Sequence, residues 1–201
     1  MKKYSKKTLL MFCILFYLLF ASNTYAAESS IIIGVLAKRG HKICHKRWNS
    51  TAEYLTSTIP NNTFRIVPLD FDDINSAIER GEVNFILTNS AMYVGLENRY
   101  GVNRIVTMKN NRFKGIYTVF GGVIFSKKKS EIRNLKDLKG KNFMAVKKTS
   151  FGGWLMALRE FKDAGIDPLG DFSSVSFGGT HDAVVYSVLS AIKGSQSHRR
   201  I

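Results

Sequence analysis

The sequence predicts an α/β layered fold with a mostly parallel sheet, and three observations carry that prediction. Short apolar runs alternate with stretches of helical periodicity through the first half of the chain. The first run, Ile31-Ile-Ile-Gly-Val-Leu-Ala37, is apolar throughout, as a strand covered on both faces requires. A strand, a hydroxyl-rich turn and a helix start also recur together. They do so after Phe143-Met-Ala-Val146 and after Val175-Ser-Phe177, with a third copy after Phe85-Ile-Leu87. Such turns leave free backbone N–H groups at a helix start, where the dipole favours an anion. Three of them point to a receptor for a small oxyanion. Ordinary N-capping by Ser and Thr is the plainer account of any one of them.

Each element follows in order. The first strand is followed by a loop, Lys38-Arg-Gly-His41. Trp48, Ala52, Leu55 and Ile59 mark one face of a helix that Pro60-Asn-Asn62 stops. Residues 64–69 form the second strand. Asp70 to Asp73 are expected to cap a helix that turns Ile74, Ala77 and Ile78 inward and ends at Gly81. Residues 83–87 form the third strand, Ser90 opens a helix that closes near Gly101, and residues 103–108 are read as a fourth strand. Residues 109–115 are a polar loop. The rhythm then changes to a long β-rich run, residues 117–125, with no helix before Lys127-Lys-Lys129; this is read as a crossing into a second lobe. Ile132, Leu135 and Leu138 mark a short helix ended by Gly140. Then come the strand over residues 143–146, a helix marked by Trp154, Leu155, Leu158 and Phe161 and stopped at Gly165, the strand over residues 175–177, and a helix through Tyr186. From Ser190 the pattern is polar and aperiodic.

The chain has 201 residues, 45% of them hydrophobic and 12% aromatic, enough for a packed core and against disorder. Its net charge is +15; setting aside Lys2, Lys3, Lys6 and Lys7, which precede every acid, leaves +11. No nucleic-acid module accompanies that charge, so nucleic acid is not the expected partner. Residues 1–26 combine a basic start, an uncharged apolar run over residues 8–20 and a small, polar end at Ala26, the signature of a cleaved secretory signal. The apolar run is shorter than the ~20 residues a spanning helix needs, so an uncleaved anchor is the lesser alternative. With Cys13 in that segment, Cys44 stands alone in the exported part and is read as a buried small hydrophobe. His41, Cys44 and His45 resemble metal ligands only superficially, since no further Cys or His lies near.

No enzymatic set emerges. Neither a P-loop nor a Gly-x-Ser-x-Gly elbow is present. His181 and Asp182 are adjacent and have no nucleophile placed to receive help. Asp70, Asp72 and Asp73 are explained by capping more simply than by a metal. His181 either donates to a bound oxyanion, which would favour its protonated form, or is a hydrogen-bonded structural histidine.

Ile33-Gly-Val-Leu-Ala37, Leu87-Thr-Asn-Ser90, Tyr117, Thr149-Ser150 and Gly178-Gly-Thr-His-Asp182 together resemble the phosphate/phosphite/phosphonate-binding periplasmic protein family. Arg39-Gly-His-Lys-Ile-Cys44, Arg47-Trp48 and Thr149-Ser-Phe-Gly-Gly-Trp154 are similar to its branch used as the extracytoplasmic sensor domain of tetrathionate-sensor-like histidine kinases. The resemblance implies a two-lobed periplasmic-binding-protein fold of type 2 that closes on its ligand. It also implies a ligand set: Thr149 and Ser150 with the backbone of Phe151 and Gly152, Thr180 and His181 from the same lobe, Tyr117 near the crossing, and Thr88 and Ser90 from the first lobe. Family members continue past the Thr-His-Asp helix, so the second lobe is expected to be incomplete and the chain to be the truncated product of a longer gene. The expected organisation is a signal peptide over 1–26, a first α/β lobe over 27–116, a crossover or hinge strand over 117–126, a partial second lobe over 127–189 and an aberrant tail over 190–201. The expected function is periplasmic, non-enzymatic binding of a phosphate/phosphonate-like or sulfur oxyanion for an ABC-type uptake system, with no cofactor. The alternative is the extracytoplasmic sensor domain of a two-component histidine kinase. An ABC permease or a membrane histidine kinase is the corresponding partner.

Overall fold

A computed structural model of the chain describes residues 29–113 and 115–190. The export segment, and residues 191–201 of the tail, lie outside the described residues. β1 (Ser29–Leu36) pairs in parallel with β2 (Asn62–Leu69), in register from Ser29 opposite Asn62 to Leu36 opposite Leu69. On its other side β1 pairs in parallel with β3 (Phe85–Leu87), which gives the order β2-β1-β3. The central position of β1 explains its unbroken apolar run: both edges and both faces are covered.

The pleat divides this sheet between two cores. Val35, Ala37 and Ile66 face α1 (His41–Thr58), where Cys44 and Ala52 are buried and Ile33, Phe64 and Trp48 pack against them. Leu36 and Leu69 face the opposite way, onto Ile74 and Ala77 of α2 (Asp73–Glu79) and Met92 and Leu96 of α3 (Ser90–Tyr100). The period of two along each strand therefore produces a layer of helix on each face. α3 is capped by Asn89, whose side chain accepts from the Met92 amide, and it ends at the left-handed Gly101.

Three local expectations are corrected. The aspartates before α2 do not cap it by side chain: Asp72 at the N-cap makes no such bond, Asp70 lies 3.2 Å from His41, and Asp72 lies 2.6 Å from Lys147. Residues 103–108 form no strand, because an extended segment joins a sheet only where its backbone meets an open edge; Ile105 and Val106 stand 71% and 77% exposed. The long run over 117–125 likewise contributes only its first residue to a strand. Regular pairing falls instead in the stretch read as a polar loop, where β4 (Asn110–Arg112) and β5 (Gly115–Tyr117) form a short antiparallel ribbon.

The second lobe follows. A 3₁₀ turn (Leu135–Leu138) is held by a capping box between Asn134 and Asp137. β6 (Asn142–Ala145) pairs in parallel with β7 (Ser174–Phe177). Between them run a π-type turn (Phe151–Leu155), α4 (Met156–Asp163) and α5 (Pro168–Asp171); α6 (His181–Ser190) follows β7. α6 thus extends to the residue at which the aberrant tail was placed. The core here is aromatic. Phe161 sits edge-on to both Phe143 and Phe172, at 5.3 and 5.2 Å, and Trp154 meets Phe143 and Phe177. The lobes touch: Val146 and Val184 of the second are buried in the cluster that holds Leu36, Leu69 and Ile74 of the first.

Candidate functional site

The carboxyl ends of β1 and β2 face those of β6 and β7 across a cavity of about 1040 Å³. In parallel α/β layers the loops leaving the strands at that end converge, which is where ligands bind. The first lobe contributes Lys38 and Arg39 from the loop after β1, Arg47 from α1, Asn89 from the loop before α3, and Arg112 from β4. The second contributes the turn from Ser150 to Gly153, His181 and Asp182, with Lys127 and Arg133 on the approach. Among the described residues, six cationic side chains thus line the wall against one carboxylate, that of Asp182.

The start of α1 adds to this field. Its N-cap is Gly40, with no side-chain cap and no acid in the first turn; the Asp70 carboxylate lies 3.2 Å from the His41 ring. Desolvation at the wall, then the neighbouring Arg47, Arg112 and Arg39, push the Lys38 ammonium below its ordinary value. Crowded cations of this kind are relieved by an anion placed among them.

The second-lobe wall is built from backbone. Ser150 is 2% exposed, and its hydroxyl accepts from the Gly153 amide. The Trp154 and Leu155 amides both reach the Ser150 carbonyl, which widens the first turn into π geometry. The amides of Phe151 and Gly152 open the helix, where no preceding turn offers them a carbonyl. Gly153 is required by close approach, since a Cβ there would come within 2.4 Å of a Val146 methyl. Phe120 packs edge-on against Phe151 at 5.6 Å and roofs the turn.

The residues expected from the sequence separate into two groups. Ser150, Phe151, Gly152 and His181 line the cavity. Thr149, Thr180, Thr88, Ser90 and Tyr117 stand outside its lining. The Thr180 hydroxyl accepts from the Ala183 amide as a helix cap, Thr88 donates to the Met92 sulfur at 3.4 Å, and Thr149, Ser90 and Tyr117 are exposed. The Ser150 hydroxyl is likewise occupied as a cap. Desolvation first, then Lys38, lower the pKa of His181, with Asp182 opposing. The His181 amide donates to the Lys38 carbonyl at 3.1 Å. The sequence reading missed Lys38, Arg39, Arg47, Asn89 and Arg112. For Lys38 and Arg39 a signal existed: they directly follow the most buried strand, at the end where α/β folds bind ligands.

Residues 33–191 match the family described as the periplasmic substrate-binding protein of a phosphonate ABC transporter. The chain belongs to this phosphonate-binding periplasmic family. The domain is 34% identical over 155 residues to the tetrathionate sensor histidine kinase TtrS of Salmonella typhimurium, covering 77% of this chain and 26% of that relative. Among solved structures it is similar to PhnD1 of Prochlorococcus marinus in complex with methylphosphonate, with TM-score 0.58 and 14% identity over 82% of this chain and 61% of that one. It is also similar to a binding protein component of an ABC phosphonate transporter from Pseudomonas aeruginosa, with TM-score 0.60 and 14% identity over 82% and 55%. A third neighbour is XAC2383 of Xanthomonas citri bound to ATP, with TM-score 0.53 and 18% identity over 82% and 62%. The chain therefore spans about a quarter of its curated relative, and its fold is that of the two-lobed periplasmic binding proteins. The phosphonate-binding family and these neighbours are binding proteins rather than enzymes. Family membership indicates an extracytoplasmic setting, and among the described residues no helix is long and apolar enough to cross a membrane. Among them, too, no group of three His, Cys, Asp or Glu side chains could hold a metal ion.

Proposed function

We propose that this domain binds a small oxyanion of the phosphate or phosphonate type between its lobes, outside the cytoplasm. One observation carries the reading: among the described residues, six cationic side chains stand against one carboxylate in a cavity that both lobes wall. Arg47, Arg112 and Lys38 would neutralise the anion. The Phe151 and Gly152 amides and His181 would donate to its oxygens from the opposite side, as N–H groups at a helix start do. Calorimetry of the folded domain against phosphate, phosphite, methylphosphonate, sulfate and tetrathionate tests this. Heat is expected with phosphate, phosphite or methylphosphonate, and silence with those three would remove the reading; heat with sulfate or tetrathionate alone would reassign the site to a sulfur oxyanion. Arg112→Ala or Arg47→Ala should weaken the best ligand about tenfold or more, as loss of a charge-assisted donor does.

Two uses of such a receptor stand apart. The sequence alone places delivery to an ABC permease first. The 34% identity to a sensor kinase, against 14% to a binding protein component of an ABC transporter, favours an input domain for a membrane histidine kinase. Reading the gene past the last codon in all three frames separates them. A membrane helix and kinase in continuation support sensing; a completed second lobe followed by a stop, beside transporter genes, supports uptake.

A further inference from the structure

The two lobes are joined at one corner of the cavity by a guanidinium–carboxylate pair. Arg39, in the loop leaving β1, donates from Nε to Asp182 Oδ1 at 2.7 Å and from Nη2 to Asp182 Oδ2 at 3.0 Å, across 143 residues of sequence. Beside it the His181 amide donates to the Lys38 carbonyl. Two consecutive residues of the first lobe therefore hold two consecutive residues at the start of α6. A guanidinium carries five N–H groups, and the pair engages one on Nε and one on Nη2. The others remain for a ligand, and Arg39 itself lines the cavity. Among the described residues, Asp182 is the one carboxylate in a lining whose other charged side chains are cationic. A carboxylate there opposes anion binding unless it performs a task that outweighs its repulsion.

We infer that Asp182 is the positioning residue of the anion site: it fixes the plane of Arg39 across the lobe boundary and latches the lobes together. The inference rests on the oxyanion reading and adds the element that presets it. The bidentate geometry fixes orientation as well as distance, which a single contact would not. The hydrogen bond and charge of Arg39 keep Asp182 more acidic than an ordinary carboxylate, so the latch stays ionised at neutral pH. Two simpler roles compete. Asp182 lies in the first turn of α6, where an acid favours the helix dipole, or it merely repels anions.

Hydrogen exchange at the His181 amide in the ligand-free protein is the first readout. Asp182→Asn and Arg39→Gln are each expected to raise its exchange rate about tenfold, with the double variant little different from either, as for two halves of one interaction. If Asp182 serves only the helix dipole, Arg39→Gln leaves His181 protected and the latch is refuted. Calorimetry with inorganic phosphate and methylphosphonate is the second. Asp182→Asn is expected to weaken binding about threefold to tenfold, a modest value because the pair is partly solvated. Tighter binding on loss of the negative charge would show a purely repulsive Asp182 and overturn the positioning role. If unaltered protein binds neither anion, the positioning claim falls with the oxyanion reading, while the exchange data still decide whether the lobes are latched.

Discussion

The two lobes solve the same packing problem with different materials. The first spreads aliphatic side chains over both faces of a three-stranded sheet, so its core is two thin layers split by the pleat. The second has two strands among the described residues and gathers its apolar mass into a knot of rings around Phe161, which is 0% exposed. Their contributions to the cavity differ in kind as well. Four of the six cations, Lys38, Arg39, Arg47 and Arg112, come from the first lobe, whereas the second adds backbone amides and a capped turn to Lys127 and Arg133. A distributed core tolerates loops that carry function, while a small one depends on single large residues. The comparison therefore predicts where damage concentrates.

Phe161→Ala should produce the largest effect, about 3–5 kcal/mol, because it empties the centre of the ring cluster. Ile74→Ala, as deeply buried in the first lobe, should cost about 2–5 kcal/mol. Denaturant titration in a Trp48→Phe background follows Trp154 alone among the described tryptophans. Phe161→Ala is expected to shift that signal more than Ile74→Ala does. Equal shifts would mean that the lobes, which share Val146 and Val184 with one core, unfold as a single unit.

Gly153→Ala comes next, at about 1–3 kcal/mol, since the added methyl must displace Val146. The same variant should disturb the π turn and weaken anion binding, which calorimetry would detect. Full stability together with full affinity would show the turn to be more pliant than this packing implies. Asn89→Ala should cost about 1 kcal/mol through the lost cap of α3, measurable as a lower melting temperature.

The smallest effect is a pH slope. His181 has a folded pKa below its ordinary value of 6.5, so the native state binds a proton less readily than the unfolded chain. The stability this supplies is complete above the unfolded value and is lost as pH falls through the folded one. Denaturant midpoints compared at about pH 7.5 and about pH 5.5 should fall, and His181→Gln should flatten the fall. An unchanged slope would place His181 in water rather than against Lys38.

Most of the first lobe was legible because each strand there owes its place to its own pattern. The run at Ile31 needs no partner's identity to be read as buried. Residues 103–108 and 117–125 were misread for the complementary reason. Their β-type composition is real, yet a strand exists only where an edge accepts it. The hydroxyl-rich turns fall where the sequence places them, and in them Ser150 and Thr180 each accept from a backbone amide of their own helix. A cap and an anion donor share one composition, so sequence cannot separate them.

The sequence by itself determined the alternation of strands and helices, the central β1 and the position of the turn before Trp154, since all three rest on local periodicity and on the special geometry of glycine. Only the tertiary structure decided that Lys38, Arg39, Arg47 and Arg112 face His181 and the Phe151–Gly152 amides across one cavity. Charges at these separations in sequence become one field only when two sheets bring the ends of their strands together.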